Sequence, residues 1–289
     1  MKFYKYQGAG NDFLIADNRD GHLTVTDGVL YAQGWSKSIA EICDRRYGVG
    51  ADGVMLLENS DCYDFRMAYY NSDGSGGMMC GNGGRCIVAF AADRGISHFD
   101  FDAADGFHKA NIIKDSHGVK TVQLKMKDVS GMTHHDRLSG VNVPSSGYFL
   151  DTGTRHYVRF VVGLDTYDIV QEGRVIRYKG HELEPIGANV NYVEPLGEGV
   201  IKVRTYEKGV EDETFACGTG IVASAMASYA HGVRPRIGDG ERGRINAMYT
   251  VYAKRDILAV SFDVNPGDSW SAENVWLTGP AAFVAEINM

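Results

Sequence analysis

Two stretches decide the reading of this chain: Cys80-Gly81-Asn82-Gly83-Gly84-Arg85-Cys86 and Cys217-Gly218-Thr219-Gly220. Each opens a segment rich in alanine and other small or apolar residues, Gly81–Arg94 and Gly218–His231. Apolar character on nearly every face predicts two buried helices. The register that aligns the two blocks also sets Gly50-Ala51 on Gly187-Ala188 and Tyr69 on Tyr206, which suggests a duplicated half. Strand-like segments dominate the rest: Lys2–Gln7, Phe13–Asp17, Val54–Glu58, Phe65–Tyr70, Val119–Met126, Tyr157–Val162, Asn189–Glu194, Val200–Tyr206, Ala247–Lys254 and Ile257–Val264. A third helix is predicted over Ser36–Arg45, with Ser36 as its cap and Ile39, Ile42 and Cys43 on one face. Central helices wrapped by strands make an α+β arrangement. The polar stretch Ser130–Ser146, with Gly131, Gly140 and Pro144, is the expected boundary between the halves.

Composition narrows the function classes. The 289 residues are 44% hydrophobic and 23% charged, ordinary values for one large globular domain or two smaller ones. Net charge is −8, from 37 acids against 29 bases, with no basic stripe, so no nucleic-acid partner is expected. No run approaches the roughly 18 apolar residues of a membrane span, so no membrane partner is expected. The first residues lack the apolar core of a signal peptide, and the expected location is the cytoplasm. Five cysteines (Cys43, Cys62, Cys80, Cys86, Cys217) form no C-x-x-C pair and no zinc-ligand spacing. Neither a disulfide framework nor a metal is expected.

A cysteine just ahead of a glycine-rich helix start sits among backbone N–H groups that the helix itself does not use. The positive helix end favours thiolate over thiol. The glycines let a carboxylate approach the same N–H groups. With two such turns in duplicated halves, a substrate carboxylate held between them has a sulfur on either side of its α-carbon. One thiolate removes the α-proton and the opposite thiol returns a proton to the other face, with charge on the carboxylate stabilised by the helix ends. Cys86 and Cys43 are expected to be core residues.

These residues resemble diaminopimelate epimerase, and the resemblance spans almost the whole chain. It runs through Gly8-Ala9-Gly10-Asn11-Asp12-Phe13, Cys43-Asp44-Arg45-Arg46-Tyr47-Gly48-Val49-Gly50-Ala51-Asp52-Gly53, Asn71-Ser72-Asp73-Gly74-Ser75 and Met79 to Cys86. It continues in Gly187-Ala188-Asn189-Val190, Tyr206-Glu207, Glu213-Thr214 and Cys217 to Gly220. The resemblance implies two pseudo-symmetric halves, each a curled mixed β-sheet around a central helix. Residues 1–130 with 274–289 would carry Cys80, and residues 131–273 would carry Cys217. It implies cofactor-independent two-base epimerisation of LL-2,6-diaminopimelate to the meso form, serving lysine and peptidoglycan synthesis, by an enzyme that is usually a homodimer. It further implies that Cys80 and Cys217 are the acid/base pair and that His156 and Glu207 stand beside them. Gly81, Asn82, Gly218 and Thr219 would hold the reacting carboxylate. Asn11, Asn71 and Asn189, with Glu207 and Lys208, would hold the remainder of the substrate.

The chain departs from the family at two places. Glu207-Lys208 stands where Glu-Arg is usual, and lysine lacks the bidentate fork that suits a distal carboxylate. Thr154-Arg155-His156 stands where Asn-Pro-His or Ser-Pro-His is common, and Arg155 is the candidate replacement guanidinium. A related cofactor-independent racemase for another amino acid, such as histidine, is the alternative reading. Other classes fare worse. The string Gly48-x-Gly50-x-x-Gly53 follows a helix and leads into a strand, the wrong context for dinucleotide binding. A thiol redox enzyme would act on disulfides without exchanging an α-proton, and a dead binding protein has no reason to keep both cysteine turns. The loops Asn71–Met79 and Gly209–Ala216, just ahead of the turns, are the expected lids.

Overall fold

A computed structural model describes residues 1–77, 79–239, 243–265, 267–268 and 270–289. The chain divides into two compact units, residues 1–124 with 279–289 and residues 125–278.

In the first unit, strand Lys2–Gly8 pairs antiparallel with Asn11–Asp17, which lies parallel to Gly53–Glu58. Parallel neighbours require a crossover. It contains a small meander (Thr24–Thr26, Val29–Ala32, Trp35–Ser38) and the short helix α1, Ile39–Cys43. Gly53–Glu58 then pairs antiparallel with Phe65–Asn71. The helix α2, Gly81–Asp93, follows and is buried from Gly81 through Ala91. Its burial on all sides explains why its sequence carries no polar stripe. Strands Asp100–Ala103, Gly106–Ser116 and Val119–Lys125 extend the sheet.

The second unit repeats this order. Strand Arg155–Phe160 lies parallel to Asn189–Gly197, and the crossover between them carries α3, Ile169–Lys179. Asn189–Gly197 pairs antiparallel with Val200–Glu207. Helix α4, Gly218–Ala230, comes next and is as apolar as α2. Its two serines do not break that character: Ser224 donates to the Gly220 carbonyl and Ser228 to the Ser224 carbonyl, both at 2.7 Å. Strands Thr133–His135 and Gly147–Asp151 flank Arg155–Phe160 on one side, and Ile245–Tyr252 and Ile257–Val264 follow on the other side of Val200–Glu207. The 16-residue strand Glu273–Asn288 serves both units. Its first part pairs with Ile257–Val264 and its last part with Lys2–Gly8.

Two local readings are corrected. The predicted helix over Ser36–Arg45 is only Ile39–Cys43. The meander ladder takes Ser36 to Ser38 as strand, so the cap is Ser38 rather than Ser36, in a capping box with Glu41. Asp44 ends the helix by accepting the N–H groups of Arg46 and Tyr47 at 2.7 and 2.6 Å. Helix α3 escaped the sequence reading although its signals are present. Asp168 caps it by accepting the Gln171 N–H, and Ile169, Gly173 and Ile176 share its buried face.

Candidate active site

In the first unit, Cys80 is the N-cap residue of α2, with extended backbone and its Sγ accepting the Gly83 N–H at 3.2 Å. A Cβ on Gly83 would lie 2.5 Å from Met55 Cε and 3.1 Å from that sulfur, so a larger residue would press on the sulfur and displace the methionine tip. The first intrahelical bond runs from Gly84 to Cys80, so the N–H groups of Gly81 and Asn82 point out of the helix end, as in anion sites. Asn82 is buried and donates to Asn11 Oδ1 at 2.6 Å, while its own Oδ1 accepts from Arg85 at 2.8 Å. Asn11 in turn donates to Asp52 at 2.8 Å, and Arg45 binds both Asp52 and Asp12 at 2.6 Å. Burial alone would raise the Asp12 carboxyl, but the hydrogen bonds from Arg45 and Lys5 outweigh it and hold the group below its ordinary range. Asn11 and Asn82 thus belong to one wired chain behind the Cys80 turn. Asn71 is tied instead into its own turn, donating to Ser75 Oγ at 3.0 Å. Met78, in the expected lid Asn71–Met79, lies outside the described residues.

In the second unit, Cys217 holds the same N-cap position on α4 with extended backbone, but its side chain makes no capping hydrogen bond; the first intrahelical bond runs from Ile221 to Cys217. The chemistry around this sulfur differs. Cys217 Sγ lies 3.4 Å from Thr219 Oγ1. Thr219 Oγ1 lies 3.0 Å from His156 Nε2 and 3.1 Å from Thr154 Oγ1, and Thr154 Oγ1 is 2.9 Å from the same ring nitrogen. His156 is fully buried, and burial pushes its pKa down to about 3 despite a hydrogen bond from Asn191. It is therefore neutral near pH 7. Glu207 accepts from Thr214 Oγ1 at 2.7 Å. Asn189 uses its amide to join strand ends, donating to the Arg155 carbonyl at 3.1 Å and accepting the Lys208 N–H at 2.9 Å. The Lys208 side chain is exposed. Arg155 lays its guanidinium over the Phe149 ring, 4.9 Å from the centroid, which is where the candidate replacement cation goes.

The folded units place at these turns three residues that the sequence did not assign to the site, Tyr69, Asn191 and Thr205, beside Thr154, which it marked only as a departure from the family. The Tyr69 phenol is pushed up first by burial and then by the neighbouring Cys80 sulfur. Thr154, Asn191 and Thr205 surround His156 and its partner amide. Alternation along Asn189–Gly197 sets Asn191 on the same face as Asn189, a signal legible once the strand is assigned. The other cysteines behave as core or surface: Cys43 and Cys86 are buried, with the Cys43 thiol pushed up to about 11 by burial, and Cys62 is exposed. Among the described residues, no group of three or more His, Cys, Asp or Glu side chains has a metal-binding arrangement.

Solved structures share this fold at low sequence identity. A Bacillus anthracis phenazine biosynthesis protein of the PhzF family matches with TM-score 0.66 and 14% identity, covering 99% of this chain and 98% of its own. A probable proline racemase from Agrobacterium radiobacter K84 matches with TM-score 0.63 and 14% identity, covering 100% and 92%. The fold is thus that of PhzF-type proteins and proline racemases. Sequence comparison is sharper. The family model described as diaminopimelate epimerase matches residues 3–129 and 148–237. The diaminopimelate epimerase of Flavobacterium psychrophilum is 39% identical over 289 residues, covering 99% of both chains. That of Chlorobaculum tepidum is 41% identical over 244 residues, covering 81% of this chain and 88% of its own. The chain belongs to the diaminopimelate epimerase family.

Proposed function

We propose that this protein is an isomerase converting LL-2,6-diaminopimelate to the meso form, in the synthesis of lysine and of peptidoglycan precursors. Family membership supports the substrate, and one observation carries the chemistry: in each unit a cysteine caps a buried helix at a glycine turn. In the proposed reaction one cysteine thiolate takes the α-proton, so that a C–H bond breaks and an S–H bond forms. The other cysteine gives its thiol proton to the opposite face of the α-carbon. Cys80 and Cys217 exchange roles when the direction reverses. The N–H groups at Gly81, Asn82, Gly218 and Thr219 would hold the carboxylate and stabilise charge that moves onto it. His156 and Glu207 assist around the sulfurs, and Asn11, Asn71, Asn189 and Lys208 position the remainder of the substrate. The scheme draws on no cofactor. No described helix is long and apolar enough to cross a membrane; we read the enzyme as a cytoplasmic homodimer by its resemblance to the family.

The test is turnover of LL-diaminopimelate in deuterated water under reductant. Deuterium should enter one α-carbon as the meso form appears. Cys80→Ala and Cys217→Ala should each lose turnover by at least about a thousandfold while keeping the native circular dichroism. An active Cys217→Ala enzyme would refute the two-base scheme. The exposed Lys208 and the stacked Arg155 bear on the distal carboxylate, for which a guanidinium fork is the better partner. Lys208→Arg is expected to lower KM for diaminopimelate severalfold, about 1 kcal/mol of binding, with kcat nearly unchanged. A panel of other amino acids, histidine included, tests the alternative substrate class; faster exchange into any of them than into diaminopimelate would overturn the assignment.

A further inference from the structure

The two cysteine turns share an N-cap backbone, and the hydrogen bonds described at their sulfurs differ in kind. Cys80 Sγ accepts a backbone N–H, whereas Cys217 Sγ meets the side-chain hydroxyl of Thr219. Behind Thr219 stands a connected run of uncharged groups. Thr205 Oγ1 donates to Asn191 Oδ1 at 2.9 Å, and Asn191 Nδ2 donates to His156 Nδ1 at 3.0 Å. Register builds the first step, because Asn191 and Thr205 are directly paired on adjacent antiparallel strands.

Gly220 fixes which way the Asn191 amide points. A Cβ there would lie 2.4 Å from Asn191 Oδ1, so a glycine Cα–H faces that oxygen. A C–H against an oxygen is a weak attraction, while a C–H against an amide N–H would be a repulsion of hydrogens. The amide therefore keeps its oxygen toward Gly220 and Thr205 and its NH2 toward the imidazole. A neutral imidazole that accepts at Nδ1 must carry its proton on Nε2. Nε2–H is then a donor, and it points at Thr154 and Thr219. Neither hydroxyl needs to give its own proton to the ring. Whether Nε2–H bonds Thr219 directly or through Thr154, the Thr219 O–H remains available to donate to Cys217 Sγ.

We propose that Asn191, oriented by Thr205 and Gly220, is a positioning residue that sets the tautomer of His156 and through it aims the Thr219 hydroxyl proton at Cys217. A hydrogen bond to sulfur favours the thiolate over the thiol. The device is built from one unit alone; at the matching position by Cys80 stands Asn82, which donates to Asn11 and accepts from Arg85. It thereby gives Cys217 a side-chain hydroxyl donor, which a reaction needing one base and one acid can use. The role in turnover rests on the epimerase reading; the polarity of the chain does not.

The experiment therefore reads the chain without diaminopimelate. Protein with 15N-labelled histidine reports the protonated ring nitrogen, and the His156 signals are those lost in His156→Gln. The native protein should show Nε2–H near neutral pH. In Asn191→Asp the carboxylate can only accept, so the proton should move to Nδ1 and Nε2 should draw the Thr219 hydroxyl away from sulfur. Alkylation of Cys217 by iodoacetamide is then followed against pH in a Cys80→Ala background. Asn191→Asp should shift its midpoint upward and slow alkylation about tenfold at pH 7. Thr219→Val should do the same and Thr219→Ser should restore the native profile, which keeps the proposal open to test should Asn191→Asp fail to fold. A native Nδ1–H tautomer overturns the proposal. So does an unmoved Cys217 profile in Thr219→Val, or in an Asn191→Asp protein whose tautomer has switched.

Discussion

His156 is the residue whose surroundings speak most directly. It is fully buried among threonine hydroxyls and the Asn191 amide, and burial pushes its pKa down to about 3. An unfolded chain takes a proton on this imidazole near its ordinary value of about 6.5. Between those two values the unfolded state binds one proton more than the native state, so acid favours unfolding and stability rises with pH. The contribution is intact above about pH 6.5 and falls by roughly 1.4 kcal/mol for each unit below it. Urea unfolding at pH 7 and pH 5 measures this directly. His156→Gln should lose about 2 kcal/mol less than the native protein between those conditions; equal losses would mean that the imidazole is charged inside the fold.

The elements owe their boundaries to competition between ladders and caps. Helix α1 shows it most plainly, since a helical face at Ile39, Ile42 and Cys43 was legible but its start was not. Backbone pairing with Val29–Ala32 holds Ser36 in a strand and leaves Ser38 to cap. The reciprocal bonds of Ser38 and Glu41, at 3.3 and 3.4 Å, are exposed. Ser38→Ala should cost about 1 kcal/mol in chemical denaturation, and Ser38→Asp should cost less. A loss near zero would show that packing of Ile39 and Ile42 alone holds the helix. Helices α2 and α4 behave differently, because their apolar faces are complete and, among the described residues, no ladder competes for their starts. Both begin at the glycine that follows the cysteine, where the sequence placed them.

The whole chain is a strand–crossover–strand–strand–helix order executed twice, with a last strand shared between the units. The shared strand makes the C-terminus a structural necessity for the N-terminus. Lys2 to Gln7 pair with Asn288 to Ala282, and the Met1 amino group donates to the Met289 carbonyl at 2.7 Å. Removing residues 279–289 would strip a ladder partner from Lys2–Gly8, take away the buried Ala281 and uncover the buried Phe3. Stability should fall by about 5 kcal/mol or more, enough to unfold an ordinary domain, in a urea titration followed by circular dichroism. An unchanged urea midpoint would show that the first unit closes without this strand.

Sequence by itself determined the two buried helices, the cysteine and glycines at their mouths, and most of the strands. These depend on local composition and on a short Cys-Gly-x-Gly block that occurs twice, and each copy is a property of neighbouring residues. It also carried the family, since the motif blocks occur in order along nearly the whole chain. Tertiary structure alone decided what stands behind each sulfur. Asn82 wires to Asn11 and Asp52, Thr219 wires to His156 and Asn191, and Asn189 is spent joining strand ends. Those partners lie many residues apart in the chain and meet only through strand register, which a single-residue slip would invert.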